Sequence, residues 1–224
     1  MKYELSDIEL QDIDDLLLKV EESFNIKFVD NELKDIQTFG QLCDHIINKI
    51  ELDNKNDCTS QQAYYKLTNA ISEELNLAKK SITPNTSLEI ILPITDRRKR
   101  LKKIENHIGF KLNILRSPHW VTGSLGIIFL ISFIMIFIKW EIGLGGIFLS
   151  VIGFWISSKT ATVLDQKTVG EVAEKMTREN YIKSRTDPST FNKTEIEKLL
   201  TDWFCKEFDL VKNDLKRESK FGIV

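Results

Sequence analysis

A chain of 224 residues that is 42% hydrophobic and 29% charged has room for one or two small domains beside any membrane segment. Its net charge of −2, and basic stretches without interleaved aromatics, exclude nucleic acid as a partner. Three cysteines (Cys43, Cys58, Cys205), odd in number and without CxxC spacing, exclude a disulfide framework and a zinc site and suit a reducing compartment.

In chain order, Met1-Lys2-Tyr3-Glu4 has no apolar run behind it, so no secretory signal is expected. Apolar spacing predicts helices over about 8–23, 39–50, 60–75 and 96–107. Residues 121–138 then run almost uncharged to Lys139-Trp140-Glu141, and a second apolar run covers 142–157. A hydrocarbon core about 30 Å thick needs roughly 20 helical residues at ~1.5 Å each. Each run is near that length, so residues 121–157 read as a transmembrane hairpin. Trp120, Trp140 and Trp155 fall at the ends of the runs, where amphipathic rings favour the interface. Gly143, Gly145, Gly146 and Gly153 would let the two spans approach closely. Helices over about 169–179 and 195–207 follow, separated by a polar linker at 181–194. The fold class expected is all-α.

The flanks contain an internal repeat. Thr38-Phe-Gly-Gln-Leu-Cys-Asp-His-Ile46 returns as Thr168-Val-Gly-Glu-Val-Ala-Glu-Lys-Met176, each opening with a capping box of Thr and Gln41 or Glu171. Ser72-Glu-Glu-Leu-Asn-Leu-Ala-Lys-Lys-Ser-Ile-Thr83 returns as Cys205-Lys-Glu-Phe-Asp-Leu-Val-Lys-Asn-Asp-Leu-Lys216. Val20-Glu-Glu-Ser-Phe-Asn-Ile-Lys-Phe28 returns as Ile104-Glu-Asn-His-Ile-Gly-Phe-Lys-Leu112. Three pairs with apolar positions in register point to a duplicated three-helix unit. Its helices come in permuted order, so two bundles are expected. Residues 60–112 supply a first and second helix, completed by 168–180 with the hairpin inserted. Residues 1–50 supply a second and third, completed by a first helix in 195–224, because a two-helix fragment buries too little apolar area.

The stretch 17–46, with Glu21-Glu-Ser-Phe-Asn-Ile-Lys-Phe28 leading to Thr38-Phe39-Gly40, resembles the second half of an acyl carrier protein. Residues 71–88 resemble the end of such a protein's first helix and the loop after it. The resemblance covers most of both flanks and omits the hairpin. It implies two small acyl-carrier-like helical bundles and a setting in lipid or fatty-acyl metabolism. In that family a serine within Asp-Ser-Leu opens the second helix and carries phosphopantetheine. Here the matching positions are Leu10 and Ile94, which have no hydroxyl, while the acidic residue two positions on persists as Asp12 and Asp96. Ser6 is out of register by four residues and Thr95 by one. No phosphopantetheine, other cofactor or metal is therefore expected. The alternative is a working membrane-tethered carrier with its arm on a displaced hydroxyl, Thr95 or Ser6.

Residues 1–58 hold fifteen Asp/Glu against six Lys, and residues 59–120 hold eleven Lys/Arg against five acids. Asp12, Asp14, Asp15, Glu21 and Glu22 decorate one second helix; Arg97, Arg98, Lys99, Arg100, Lys102 and Lys103 decorate the other. These are the candidate interaction residues, for a protein partner, for self-association, or for anionic lipid headgroups. Basic residues flank the hairpin (97–103, Arg116, Lys159) while its turn carries Lys139 against Glu141. That asymmetry predicts two passes of the inner membrane with both termini cytoplasmic. His45, His107 and His119 are scattered, no GxGxxG, P-loop, HExxH or GxSxG occurs, and the spans offer a catalytic site only Thr122, Ser124, Ser132 and Ser150. A non-catalytic, membrane-anchored interaction or scaffold protein is the expectation.

Overall fold

The computed structural model describes Leu5, Ile8 and residues 10–221, of which the side chain of Leu10 is left aside. The chain is 61% helix and 6% strand. In order it runs α1 (Leu10–Phe24), α2 (Phe39–Lys49), β1 (Asp53–Asn54), α3 (Thr59–Leu75), a 3-10 turn at Lys79–Ser81, α4 (Leu88–Ile91), α5 (Arg97–Ile108) and β2 (Leu115–Arg116). There follow α6 (His119–Ile136), α7 (Trp140–Lys159), β3 (Val163–Leu164), α8 (Val169–Glu179), α9 (Tyr181–Ser184), β4 (Thr190–Phe191) and α10 (Lys193–Glu207). The chain divides into a terminal unit, Met1–Asn69 with Ala173–Val224, and a central unit, Ala70–Val172. The division runs through α3 and α8 rather than through the loops that bound them.

In the terminal unit, α1, α2 and α10 share one apolar core. Leu16, Val20 and Phe24 of α1, Phe39, Cys43 and Ile46 of α2, and Ile196, Trp203 and Phe204 of α10 are all at most 2% exposed. The Phe39 and Phe204 rings meet edge to face at 5.1 Å. The chain's two ends are also joined through backbone. Phe39 N donates to Ser219 O at 2.9 Å, Gly40 N to Arg217 O at 2.8 Å and Phe221 N to Gln37 O at 3.1 Å. The parallel pair β1–β4 adds Asp53 opposite Thr190.

The central unit repeats that joint at the matching positions. Val169 N donates to Thr86 O at 3.1 Å, Gly170 N to Pro84 O at 2.8 Å and Leu88 N to Lys167 O at 2.9 Å. Isolated bridges pair Thr38 with Lys220 and Ser87 with Thr168. Helices α2 and α8 both open on a threonine cap: Gln41 N on Thr38 Oγ1 at 3.3 Å, with Thr38 N returned to Gln41 Oε1, and Glu171 N on Thr168 Oγ1 at 3.2 Å, with Lys167 N on Glu171 Oε2. Both first helices end on a left-handed residue, Asn76 (φ 54°) and Asp209 (φ 52°), and both second helices on another, Asn25 (φ 53°) and Gly109 (φ 91°). Beyond the second helices, Glu21 Oε1 accepts from Phe28 N and Glu105 Oε1 accepts from Leu112 N. The positions paired by the sequence pattern thus hold matching hydrogen bonds. A Cβ on Gly40 would sit 2.9 Å from Arg217 Cβ and O, and one on Gly170 would sit 3.0 Å from Pro84 O. Close approach requires glycine at position 40, and at position 170 a methyl would press on the Pro84 backbone.

Within the central unit the antiparallel pair β2–β3 sets Leu115 opposite Leu164 and Arg116 opposite Val163. This clamp pins the two ends of the α6–α7 hairpin together. The two helices are long and apolar enough to cross a membrane, with mean hydropathy 1.9 and 1.5. Only 6% and 17% of those windows are buried, so most of the apolar surface faces outward, unlike core helices of a soluble domain. Small residues line the seam: Ser132, Gly143, Ser150 and Ser157 are buried, and a Cβ on Gly146 would meet Ser132 Oγ at 2.1 Å. Gly145 has nothing within 4 Å of its would-be Cβ and lies off the seam.

Candidate functional site

Helix α5 carries the basic stretch on a frame of buried Leu101, Ile104 and Ile108. That spacing turns Arg98, Lys99, Lys102 and Lys103 outward. Arg97 turns inward instead. It is 7% exposed, and its guanidinium donates from Nε to Leu92 O at 2.8 Å and from Nη1 to Thr162 O at 2.6 Å. Arg97 therefore ties the start of α5 to the segment that follows the hairpin, and is not part of the outward surface. Arg100 is half-buried and donates from Nη1 to Ile91 O at 3.2 Å.

Beside α5 a cleft of about 970 Å³ opens within the central unit. Arg98, Lys99 and Lys102 line it from α5, and Lys111 from the loop beyond. Leu101, Phe110, Ile114, Leu115 and Ala161 give it apolar walls, and Ser158 in the last turn of α7 reaches its edge. Glu105 is the single acid in the lining, and its carboxylate is engaged by Leu112 N at 2.8 Å.

Helix α1 presents Asp12, Asp14, Asp15 and Glu22 to solvent, with Asp12 in the first turn, where the helix dipole favours an anion. Glu21 is half-buried and spent on Phe28 N. Ile94 is 69% exposed, three residues ahead of α5, and Thr95 beside it is exposed too. Leu10 opens α1, while Ser6 lies outside the described residues.

The densest polar cluster in the terminal unit has no counterpart in the sequence reading. Residues 181–194, which read as a linker, fold into α9 and β4 and bury Tyr181 and Arg185 almost completely. Arg185 ion-pairs with Asp57 and donates to Thr59 Oγ1 at 2.6 Å and Thr190 Oγ1 at 2.9 Å, with its guanidinium 5.8 Å over the Tyr181 ring. Tyr181 Oη donates to Glu195 Oε2 at 3.3 Å and accepts from Asn192 N at 3.0 Å. Glu195 in turn accepts from Thr59 N at 3.0 Å and Ser60 N at 3.2 Å, capping α3. Burial pushes the Tyr181 phenol above its ordinary range. Among the described residues every buried side-chain polar atom has a hydrogen-bond partner, and no group of three metal-ligating side chains occurs. The cluster is saturated by its own members, which suits structural locking. Burial also pushes the Cys43 thiol up to about 12, so it is held as an unreactive thiol.

No family model, curated protein or solved structure matches this chain.

Proposed function

We propose that this chain is a non-catalytic, membrane-anchored interaction protein, with two degenerate acyl-carrier-like bundles held at the cytoplasmic face by a two-pass hairpin. The observation that carries the reading is the hairpin itself. Its helices keep their apolar side chains outward, have a seam of small residues, and emerge from a β2–β3 clamp inside a polar unit. Orientation follows from cations at the base (Arg116, Lys159 and α5) against a turn holding Lys139 with Glu141. The exposed acids of α1 and cations of α5 are the interaction surfaces, for a protein partner, a second copy or the bilayer. By its resemblance the protein belongs to lipid or fatty-acyl metabolism.

The absence of an arm-bearing serine separates this reading from that of a working carrier. Thr95 supports the second reading, because it is an exposed hydroxyl next to Ile94 and just ahead of α5. Intact-mass measurement after co-expression with a phosphopantetheinyl transferase tests both. The interaction protein keeps its unmodified mass; a gain of one phosphopantetheine, abolished by Thr95→Ala, would establish the carrier instead.

A further inference from the structure

We propose that the cleft beside α5 binds the headgroup of one anionic phospholipid, an assignment that rests on the hairpin being embedded in a bilayer. Four cations, Arg98, Lys99, Lys102 and Lys111, converge on one concavity whose single acid already accepts a backbone N–H. Among the described residues none of the four forms an ion pair, so their positive charge is available to an anion. Lys111 lies beyond the C-terminus of α5, so the charges border the cleft from both helix and loop. A bare topology signal needs no cation from the loop beside those of the helix.

Position selects the occupant. Ser158 lies in the last turn of α7 and Ala161 directly beyond it, so the cleft borders the end of the membrane-crossing segment. Trp120, at the start of α6, and Trp155, in the last turns of α7, are exposed at that same end of the hairpin. A phosphate at the interface would meet the lysines, while the glycerol and first acyl carbons would meet the apolar walls. Free inorganic phosphate would use the cations and leave those walls without a role. The volume, about 970 Å³, is ample for a headgroup and its glycerol.

The test uses the full chain in nanodiscs of phosphatidylcholine, alone or with one third phosphatidylglycerol, released into a mass spectrometer under native conditions. One phosphatidylglycerol is expected to stay on each chain, and phosphatidylcholine is not. In K99Q/K102Q/K111Q retention should fall roughly 100-fold, about fivefold for each cation removed near an anionic surface. Lys139→Gln, at the opposite end of the hairpin, should retain the lipid. Equal retention of both lipids by the unaltered chain overturns the assignment without recourse to any variant. So do a triple variant that retains phosphatidylglycerol fully, and displacement of the lipid by millimolar inorganic phosphate. Carbonate extraction in parallel separates the two failures. A chain that stays in the pellet yet shows no lipid preference refutes the cleft alone, and a chain that washes out refutes the membrane reading as well.

Discussion

Asp57→Asn tests how the terminal unit is locked. The substitution removes the anion paired with Arg185, whose side chain is 0% exposed, and leaves a buried guanidinium held by hydroxyl oxygens of Thr59, Thr190 and Tyr181. Breaking a buried ion pair from one side costs about 3–5 kcal/mol. Asp57 is itself 30% exposed and water can reach the site from its side, so about 2–3 kcal/mol is expected. For a unit of this size that lowers the melting midpoint by roughly 6–12 °C. Trp203 is 1% exposed in the same core. With Trp120, Trp140 and Trp155 replaced by Phe, its fluorescence reports urea unfolding of this unit alone. Arg185→Met removes the buried charge, so Asp57→Asn on that background should cost under about 0.5 kcal/mol. An equal loss in both backgrounds, or no loss in the first, refutes the buried pair as the lock.

Gly40→Ala and Gly170→Ala should each cost about 1–3 kcal/mol in urea titrations, because the new methyl meets backbone of Arg217 or Pro84. Gly145→Ala, with open space, should stay within about 0.5 kcal/mol. In the hairpin Gly146→Val should separate the spans and increase cross-linking or aggregation in detergent, while Gly145→Val should not. Glu32 is held down at about 2 by Lys49, the Val29 N–H and His45. A carboxylate lowered in the folded state contributes stability above its ordinary value near 4.5 and loses it as pH falls toward 2. Glu32→Gln should therefore lower stability at neutral pH and flatten the acid limb in that window, its difference from the parent shrinking as pH falls toward 2.

The helices were legible in the sequence because their apolar residues recur at helical spacing, and the hairpin because 121–157 carries charge only at its turn. The matching hydrogen bonds at Thr38 and Thr168 follow from a threonine–glycine pattern visible in the sequence. The Arg185 cluster was not legible. Its stretch is polar and loop-like, and its partners Asp57 and Thr59 lie more than 120 residues away, beyond any local pattern. Arg97 is another case: in a run of Arg and Lys nothing local marks the residue whose carbonyl partners pull it inward. Charge counting finds the basic helix but cannot fold Lys111 and Ser158 to the same cleft, since that depends on where the β2–β3 clamp closes. Four strands of two residues each are too short for any periodicity to announce.

The account stands or falls with a double crossing that leaves both flanks on one side. With Cys43 and Cys205 replaced by Ser, Cys58 reports the soluble flank and Lys139→Cys the hairpin turn. In intact cells an impermeant maleimide should label position 139 and reach Cys58 only after permeabilisation. Labelling of both positions from outside, or of neither until the cells are opened, would contradict it.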